Sequence, residues 1–584
     1  MNRHDCLLAG ALLVYGALAV SSMRTKSAVF DETAHLPAGY TYLKTRDFRL
    51  NPEHPPLVKE LAALPLLWIE PRMREASTAW QQRRQFEFGD RFLYRWNDGD
   101  RLLFWGRLPI VGLGAALASA VFLWTRSRFG IGPAAIALFL SVLSPELLAH
   151  GQLVTTDLAI ALFMFLSVIA FRAVTERVTL TRVGLAGLAV GASFATKFSA
   201  LVLLPTLAIL SLWVALSRAP LTLAPGRMRA RAVTGAVPKL AVLALSAAAM
   251  AGVALAFVWA TYAFESRLAN DAELERTILW WRIEPETPFL AGAVRTARAS
   301  GLFPDAYLYG LVYALRSTNS HPAFLCGQIS DQGWWYYFPV TFLIKTPLAL
   351  PAILLLALLV RGRPGPRLGP FVWVPVLVYV AISVTQNLNI GHRHLLPIYP
   401  FLFVAAGVAG ATLATRYGRW VVLALCAWYG GSVLRVHPHY LGYFNELAGG
   451  PSGGWRYLVD SNLDWGQDLK ALKQWMDDHG VGRVKLSYFG TADPDYYGLR
   501  CEMLPGYGVI RREGVVVVRD VRAGELVAVS ATNLQGVFLS ADVKPMMARL
   551  RTLPPVDRVG YSIFIYRPNF SMSIPSSGEL DPPR

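Results

Sequence analysis

The sequence predicts a mainly α-helical, polytopic membrane protein with a small α/β domain at its C-terminal end. Composition predicts the membrane part: 54% of the 584 residues are hydrophobic and only 16% are charged, with a mean hydropathy of +0.37. That is more apolar surface than a soluble core absorbs. The arrangement agrees, because the apolar residues fall in about eleven runs suited to a hydrocarbon layer of roughly 30 Å. The C-terminal domain is predicted by a change of pattern near residue 435, where long apolar runs give way to short strand-like segments and turns. The net charge of +17 does not indicate nucleic acid, since Lys and Arg sit in short clusters between apolar runs and form no basic face.

The runs cover about 6–23, 103–125, 131–149, 153–171, 183–197, 198–216, 240–262, 337–360, 370–386, 395–414 and 419–435. The fifth and sixth are divided at Lys197. Arg3, Arg126 and Arg128, Arg172 to Arg182, Arg218 to Lys239, Arg361 to Arg367, and Arg416 with Arg419 then all fall on one side. Positive residues mark the cytoplasmic side. Without the division at Lys197, every later cluster would face outward. The first run resembles a signal peptide, with Arg3 before it and small residues at its end, but cleavage there would leave the remaining topology unchanged.

This topology places three hydrophilic regions outside the cytoplasm, at about 24–102, about 263–336 and from about 436 onward. The expected units are a membrane module over about 1–435, an α/β domain over about 436–570 and a disordered tail over about 571–584. Trp80, Phe86, Phe88, Tyr94 and Trp96 in the first loop suit interfacial helices. Trp280, Trp281 and Trp334 to Tyr337 in the second suit either headgroup anchors or surfaces for sugar stacking. In the C-terminal region, Asp464 and Gln467 have the spacing of a capping box for a helix ending near Gly480. Strand-like runs follow at Val484–Phe489, Val515–Val518, Leu526–Val529 and Tyr561–Tyr566. Asp460 to Asp464 imitates the start of a calcium loop, but Trp465 and Ala471 stand where glycine and glutamate are needed. The four cysteines have no CxxC spacing, so neither a zinc site nor a disulfide framework follows.

Charged residues near the membrane carry the chemistry, because burying charge there is costly. Asp31-Glu32 follows the first run, and His54-Pro55-Pro56-Leu57-Val58-Lys59 lies in the same loop. Asp157 stands near the outer end of the fourth run, and Lys197, Lys345, His392, Arg393 and His394 fall at outer ends. Asp157 is either a site carboxylate or one satisfied by a neighbouring helix. Cations on the outer side oppose the charge bias, and they suit an anionic ligand or snorkelling to lipid phosphates.

Asp31-Glu32, His54-Pro55-Pro56-Leu57 with Lys59, and Asp157 together resemble the pattern of protein O-mannosyltransferases and, more broadly, the glycosyltransferase C superfamily. The resemblance extends over about the first 440 residues in topology, with its specific motifs in about the first 200. It implies an extracytoplasmic transfer of sugar from a polyprenyl-phosphate donor to a protein, lipid or polysaccharide acceptor, by a multi-pass protein of a bacterial inner membrane. Asp31 would correspond to the catalytic acid residue of the first outer loop and Asp157 to a second. Two departures matter: no insert corresponds to the β-trefoil of the eukaryotic enzymes, and the extra domain is C-terminal. The run from Asn445 to Pro451 and on through Asp464-Trp465-Gly466-Gln467-Asp468 resembles bacterial relatives of unassigned acceptor.

On this reading Asp31 acts as general base and Glu32 orients it or binds sugar hydroxyls. Arg393 and Lys59, then Lys197 and Lys345, meet the departing phosphate, with His54 beside the donor. A single displacement would invert the anomeric carbon. The transfer that the resemblance implies is metal-independent or metal-assisted; His54 with Glu53 or Asp31 offers ligands for a divalent ion, although the spacing is not that of a closed metal site. A transporter or lipid flippase is the alternative, but the sequence lacks the internal duplication expected of one. A catalytically silent scaffold is a further alternative.

Overall fold

The computed structural model describes residues 3–224, 230–266, 288–317, 321–359, 368–508 and 516–574. Each of the eleven apolar runs contains helix. Among the described residues, six helices are long and apolar enough to cross a membrane: Arg3–Arg24, Gly99–Phe129, Asp157–Glu176, Phe198–Leu216, Ala236–Thr261 and His392–Leu413. A seventh crossing arises if Tyr337–Lys345 and Ala349–Leu359, which meet at 101°, are taken as one broken span. Ile131–Val142, Leu180–Phe194, Pro370–Ser383 and Gly418–Leu434 are shorter apolar helices.

Local chemistry sets the boundaries. The Asp98 carboxylate accepts the Arg101 amide and starts Gly99–Phe129. The third run is interrupted where Ser144 caps a new short helix with Pro145 in its first turn. Leu180–Phe194 ends before Lys197, whose extended backbone separates it from the following 3-10 turn. Thus the chain breaks at Lys197, where the division was expected. Leu180–Phe194 packs on Ala236–Thr261 through small residues; a Cβ on Gly187 would come within 2.7 Å of Val253.

The helix ends sort into two groups. At one, Arg128 pairs with Glu176 at 2.6 Å, and Arg177–Val178, Leu221–Leu223 and Arg231–Val233 make a three-stranded sheet. At the other gather the first loop, the break at Lys197, the start of His392–Leu413 and the C-terminal region. Arg227, Arg229, Arg361 and Arg363 lie outside the described residues, as do Trp280 and Trp281.

The first loop folds as Glu32–Thr45, Leu57–Ala63 and shorter helical turns. Its aromatic residues largely face one another instead of lying free at an interface. Phe88 is fully buried, 5.4 Å from Trp80 and 5.6 Å from Trp96, and Tyr94 packs 5.0 Å from Tyr496 of the C-terminal region.

That region contains a mixed five-stranded sheet, in the order Asp557–Val559, Ile563–Tyr566, Val527–Ser530, Val484–Ser487 and Cys501–Met503. The first three are antiparallel, and Val484–Ser487 runs parallel to both its neighbours. Two of these strands, Cys501–Met503 and Asp557–Val559, were not expected. Of the expected Val515–Val518 strand, Val515 lies outside the described residues and Val517 makes an isolated bridge to Met503. One apolar core runs continuously from the membrane helices into the sheet. The capping box fails: the helix is Leu469–Asp478, with Asp468 at its cap. Asp464 instead accepts the Thr532 amide at 2.8 Å, and the Gln467 amide braces the turn between Leu463 and Asp468. Met572 and Ser573, expected in the disordered tail, pair with Val521 and Asp520; residues 575–584 lie outside the described residues.

The docking of Glu32–Thr45 on Leu57–Ala63 gives a test. A Cβ on Gly39 would lie 2.0 Å from the Lys59 carbonyl oxygen, whereas one on Gly112 would meet nothing within 4 Å. Gly39→Ala is expected to cost about 1–3 kcal/mol through overpacking, read as a lower melting temperature in detergent. Gly112→Ala should be neutral or slightly stabilising, because alanine is the better helix former.

Candidate active site

Four segments bring charge to one place. Asp31 stands just before Glu32–Thr45, its carbonyl accepting the amides of Ala34 and His35. Asp157 begins Asp157–Glu176 after a turn through Thr155 and Thr156. Lys197 lies in the helix break, and Arg393 in the 3-10 turn His392–Ile398 that leads into Tyr399–Leu413. Arg393 Nη1 donates to Asp31 Oδ2 at 3.1 Å and to Asp157 Oδ2 at 3.2 Å. Lys197 Nζ donates to Asp157 Oδ1 at 2.6 Å. The two carboxylates balance the two cations, as charge withdrawn from water requires.

Exposure separates the carboxylates. The Asp157 side chain is 1% exposed and that of Asp31 is 23% exposed. Asp157 is therefore sealed between Lys197 and Arg393, while Asp31 retains an open side. Arg393 Nε is buried without a hydrogen-bond partner.

The structure splits the acidic pair. Glu32 is fully buried and takes a bidentate pairing from Arg107, at 2.8 Å from Nε and 2.6 Å from Nη2. Its oxygens also accept the amides of Val29 and Val154, both at 2.9 Å. The remaining Arg107 donors satisfy the carbonyls of Met23, Lys26 and Ser27. Glu32 is thus spent on closing the turn after the first helix, and its carboxylate is not free to bind sugar hydroxyls. Arg107 escaped the sequence reading although a lone arginine inside an apolar run is itself a signal.

Two expected phosphate ligands are likewise turned inward. Lys59 is 1% exposed, and its Nζ donates to the Asn51 carbonyl at 2.7 Å, the Asn51 side-chain oxygen at 2.9 Å and the His54 carbonyl at 2.7 Å. Burial pushes its pKa down to about 7, against the opposing charges of Glu53 and Glu60. Lys345 is 1% exposed and donates to the carbonyls of Leu441 at 2.9 Å and Asn462 at 2.8 Å, with Glu146 at 3.3 Å. Neither points at the Asp31–Arg393 pair.

His54 is close to the centre. Its ring lies 5.7 Å from that of His35, and its Nδ1 is buried without a hydrogen-bond partner. Burial first, and then the charge of Lys197, holds the imidazole well below its usual pKa, so it is neutral. Among the described residues, no three His, Cys, Asp or Glu side chains gather as a set of metal ligands.

The C-terminal region supplies residues that the sequence reading did not assign. The Trp465 ring centre lies 4.1 Å from the Arg393 guanidinium carbon. Asp460, in the left-handed region at φ +57°, accepts the Ser461 amide at 2.5 Å. Withdrawal from water, and then the Asp31 charge, raises its pKa to about 7, against the pull of Arg393 and of the Ser461 amide.

No protein-family model and no curated protein matches the chain. Among solved structures, it is similar to ArnT from Cupriavidus metallidurans in the apo state, with 13% identity, 96% of this chain and 97% of that chain covered, and a TM-score of 0.44. For the same protein bound to undecaprenyl phosphate the identity is 12%, the coverages 96% and 97%, and the TM-score 0.42. It is also similar to the Archaeoglobus fulgidus oligosaccharyltransferase in the apo form, with 12% identity, coverages of 94% and 72%, and a TM-score of 0.44.

Two outcomes follow from these placements. Glu32→Ala would strand a buried Arg107 and is expected to cost about 3–5 kcal/mol, measured as lost melting temperature, whereas Asp31→Asn, on the partly exposed carboxylate, should fold. For Asp460, a pKa raised from 3.8 to about 7 means that the folded protein holds a proton the unfolded chain has released. Its stabilisation is full below about pH 4 and lost as the pH rises through about 7. The wild type should therefore lose melting temperature relative to Asp460→Asn over that window; a difference that does not change with pH would contradict the assignment.

Proposed function

We propose that the chain is an integral membrane glycosyltransferase that moves a sugar from a polyprenyl-phosphate donor to an acceptor outside the cytoplasm. The observation that carries this is the Arg393 guanidinium shared between a sealed carboxylate, Asp157, and a partly open one, Asp31. The motif resemblance of Asp31-Glu32 with His54-Pro55-Pro56-Leu57 supports the same reading. The basic helix ends face the cytoplasm of a bacterial inner membrane, the chain crosses eleven times, and the residues beyond about 436 act as an outer domain.

In this proposal Arg393 meets the donor phosphate, with Lys197 adding positive charge and Asp157 holding both cations in place. An anionic phosphate competes with Asp31 for the guanidinium, which leaves the Asp31 carboxylate to take the acceptor proton. The acceptor oxygen attacks the anomeric carbon as the bond to phosphate breaks, and Arg393 stabilises the charge that develops on the leaving group. A single displacement inverts the configuration. Neutral His54 faces the donor as a hydrogen-bonding group. Glu32, Lys59 and Lys345 serve the site indirectly, by fixing the loops that carry it. A divalent ion is not part of this reading.

The test is transfer by purified protein in nanodiscs from a polyprenyl-phosphate sugar to an envelope extract. Asp31→Asn is expected to lower the rate by about 100- to 10,000-fold while still binding the donor. An unchanged rate would remove Asp31 as the base. Movement of the lipid across the bilayer with no transfer product would favour a flippase.

A further inference from the structure

The segment from Asp460 to Asp468 is tied to the chain on both sides of the central ion pair. On the Arg393 side, the Ser461 hydroxyl donates to the Ile390 carbonyl at 2.9 Å, and the His392 amide donates to the Asn462 side-chain oxygen at 2.8 Å. The approach needs glycine at 391, where a Cβ would lie 2.3 Å from Ser461 Oγ. On the Asp31 side, the Phe30 amide donates to the Trp465 carbonyl at 2.9 Å and the Ser27 amide to the Gln467 carbonyl at 3.0 Å. Between these ties stands Trp465, 2% exposed, with its ring face 4.1 Å from the Arg393 guanidinium carbon. Its own amide is held by the Gln467 side chain at 2.8 Å.

A guanidinium on an indole face is attracted by the ring quadrupole, most strongly where water is excluded. Arg393 Nε has no hydrogen-bond partner, and the contacts to Asp31 and Asp157 both fall on Nη1, so they hold the guanidinium at one corner. The ring supports the rest of its plane. We propose that Trp465 is a positioning residue of the transfer site: it sets the orientation of Arg393 for an anionic headgroup, which makes the C-terminal segment part of the catalytic centre. This rests on the reading that Arg393 meets the donor phosphate.

Equilibrium binding of undecaprenyl phosphate to the full chain in nanodiscs tests it, with wild type, Trp465→Leu, Trp465→Phe, Arg393→Ala and the Arg393→Ala/Trp465→Leu double variant. Trp465→Leu is expected to weaken binding by roughly tenfold or more, Trp465→Phe by clearly less because a ring face remains, and the double variant no further than Arg393→Ala alone. If Arg393→Ala weakens binding but folded Trp465→Leu binds as the wild type does, or if the two losses add in full, the positioning role is overturned while the phosphate reading stands. If Arg393→Ala itself binds normally, the phosphate reading fails and the proposal fails with it. Should Trp465→Leu not fold, Trp465→Phe decides: a weakened affinity that disappears in the Arg393→Ala background supports the role, and wild-type affinity overturns it.

Discussion

The Arg393 guanidinium, held between Asp31 and Asp157, is the contact on which the site depends. It joins the loop after the first helix, the start of Asp157–Glu176 and the entry to Tyr399–Leu413, which lie far apart in the chain. An arginine at that depth is tolerable only when paired. Pairing it with one sealed and one partly open carboxylate balances its charge, and in the proposed function it lets the group exchange one anion for another. With Asp31 sealed as Asp157 is, the group would be a structural ion pair and nothing more.

Around this centre, other buried charges hold the loops. Arg107 gathers three carbonyls and the Glu32 carboxylate. Lys59 closes the loop between Asn51 and His54, and Lys345 pins two C-terminal carbonyls beside Glu146. Each replaces lost hydration with fixed dipoles. Together they satisfy backbone carbonyls of the irregular segments that sit beside the membrane helices. The C-terminal region is bound into the same framework, since Trp465 packs on Arg393 and the apolar core continues from the helices into the sheet.

Much of this was legible in the sequence because hydropathy and charge placement are local properties. The apolar runs became helices, the break fell at Lys197, and Asp31, Asp157, Lys197 and Arg393 converged because charges beside apolar runs stand out. What could not be read was which charges face each other. Glu32 and Lys59 carry the same chemistry as Asp31 and Arg393, and only their partners, the distant Arg107 for one and the carbonyls of its own folded loop for the other, show that they are internal braces. Asp464 and Gln467 had capping spacing, but Asp464 was recruited by Thr532, a contact that forms only when the sheet docks, and Gln467 by Leu463 and Asp468 in its own turn. Trp465 and Asp460 sat in a segment whose failed match to a calcium loop hid their position beside Arg393.

The most direct measurement of the central claim is a cryo-electron microscopy structure of the full chain in nanodiscs with undecaprenyl phosphate bound. The expected result is phosphate density within hydrogen-bonding distance of the Arg393 guanidinium, with the Asp31 carboxylate turned from Arg393 toward open space. Phosphate density at the basic helix ends near Arg128 and Arg177, with the Asp31–Arg393 pair intact, would contradict it.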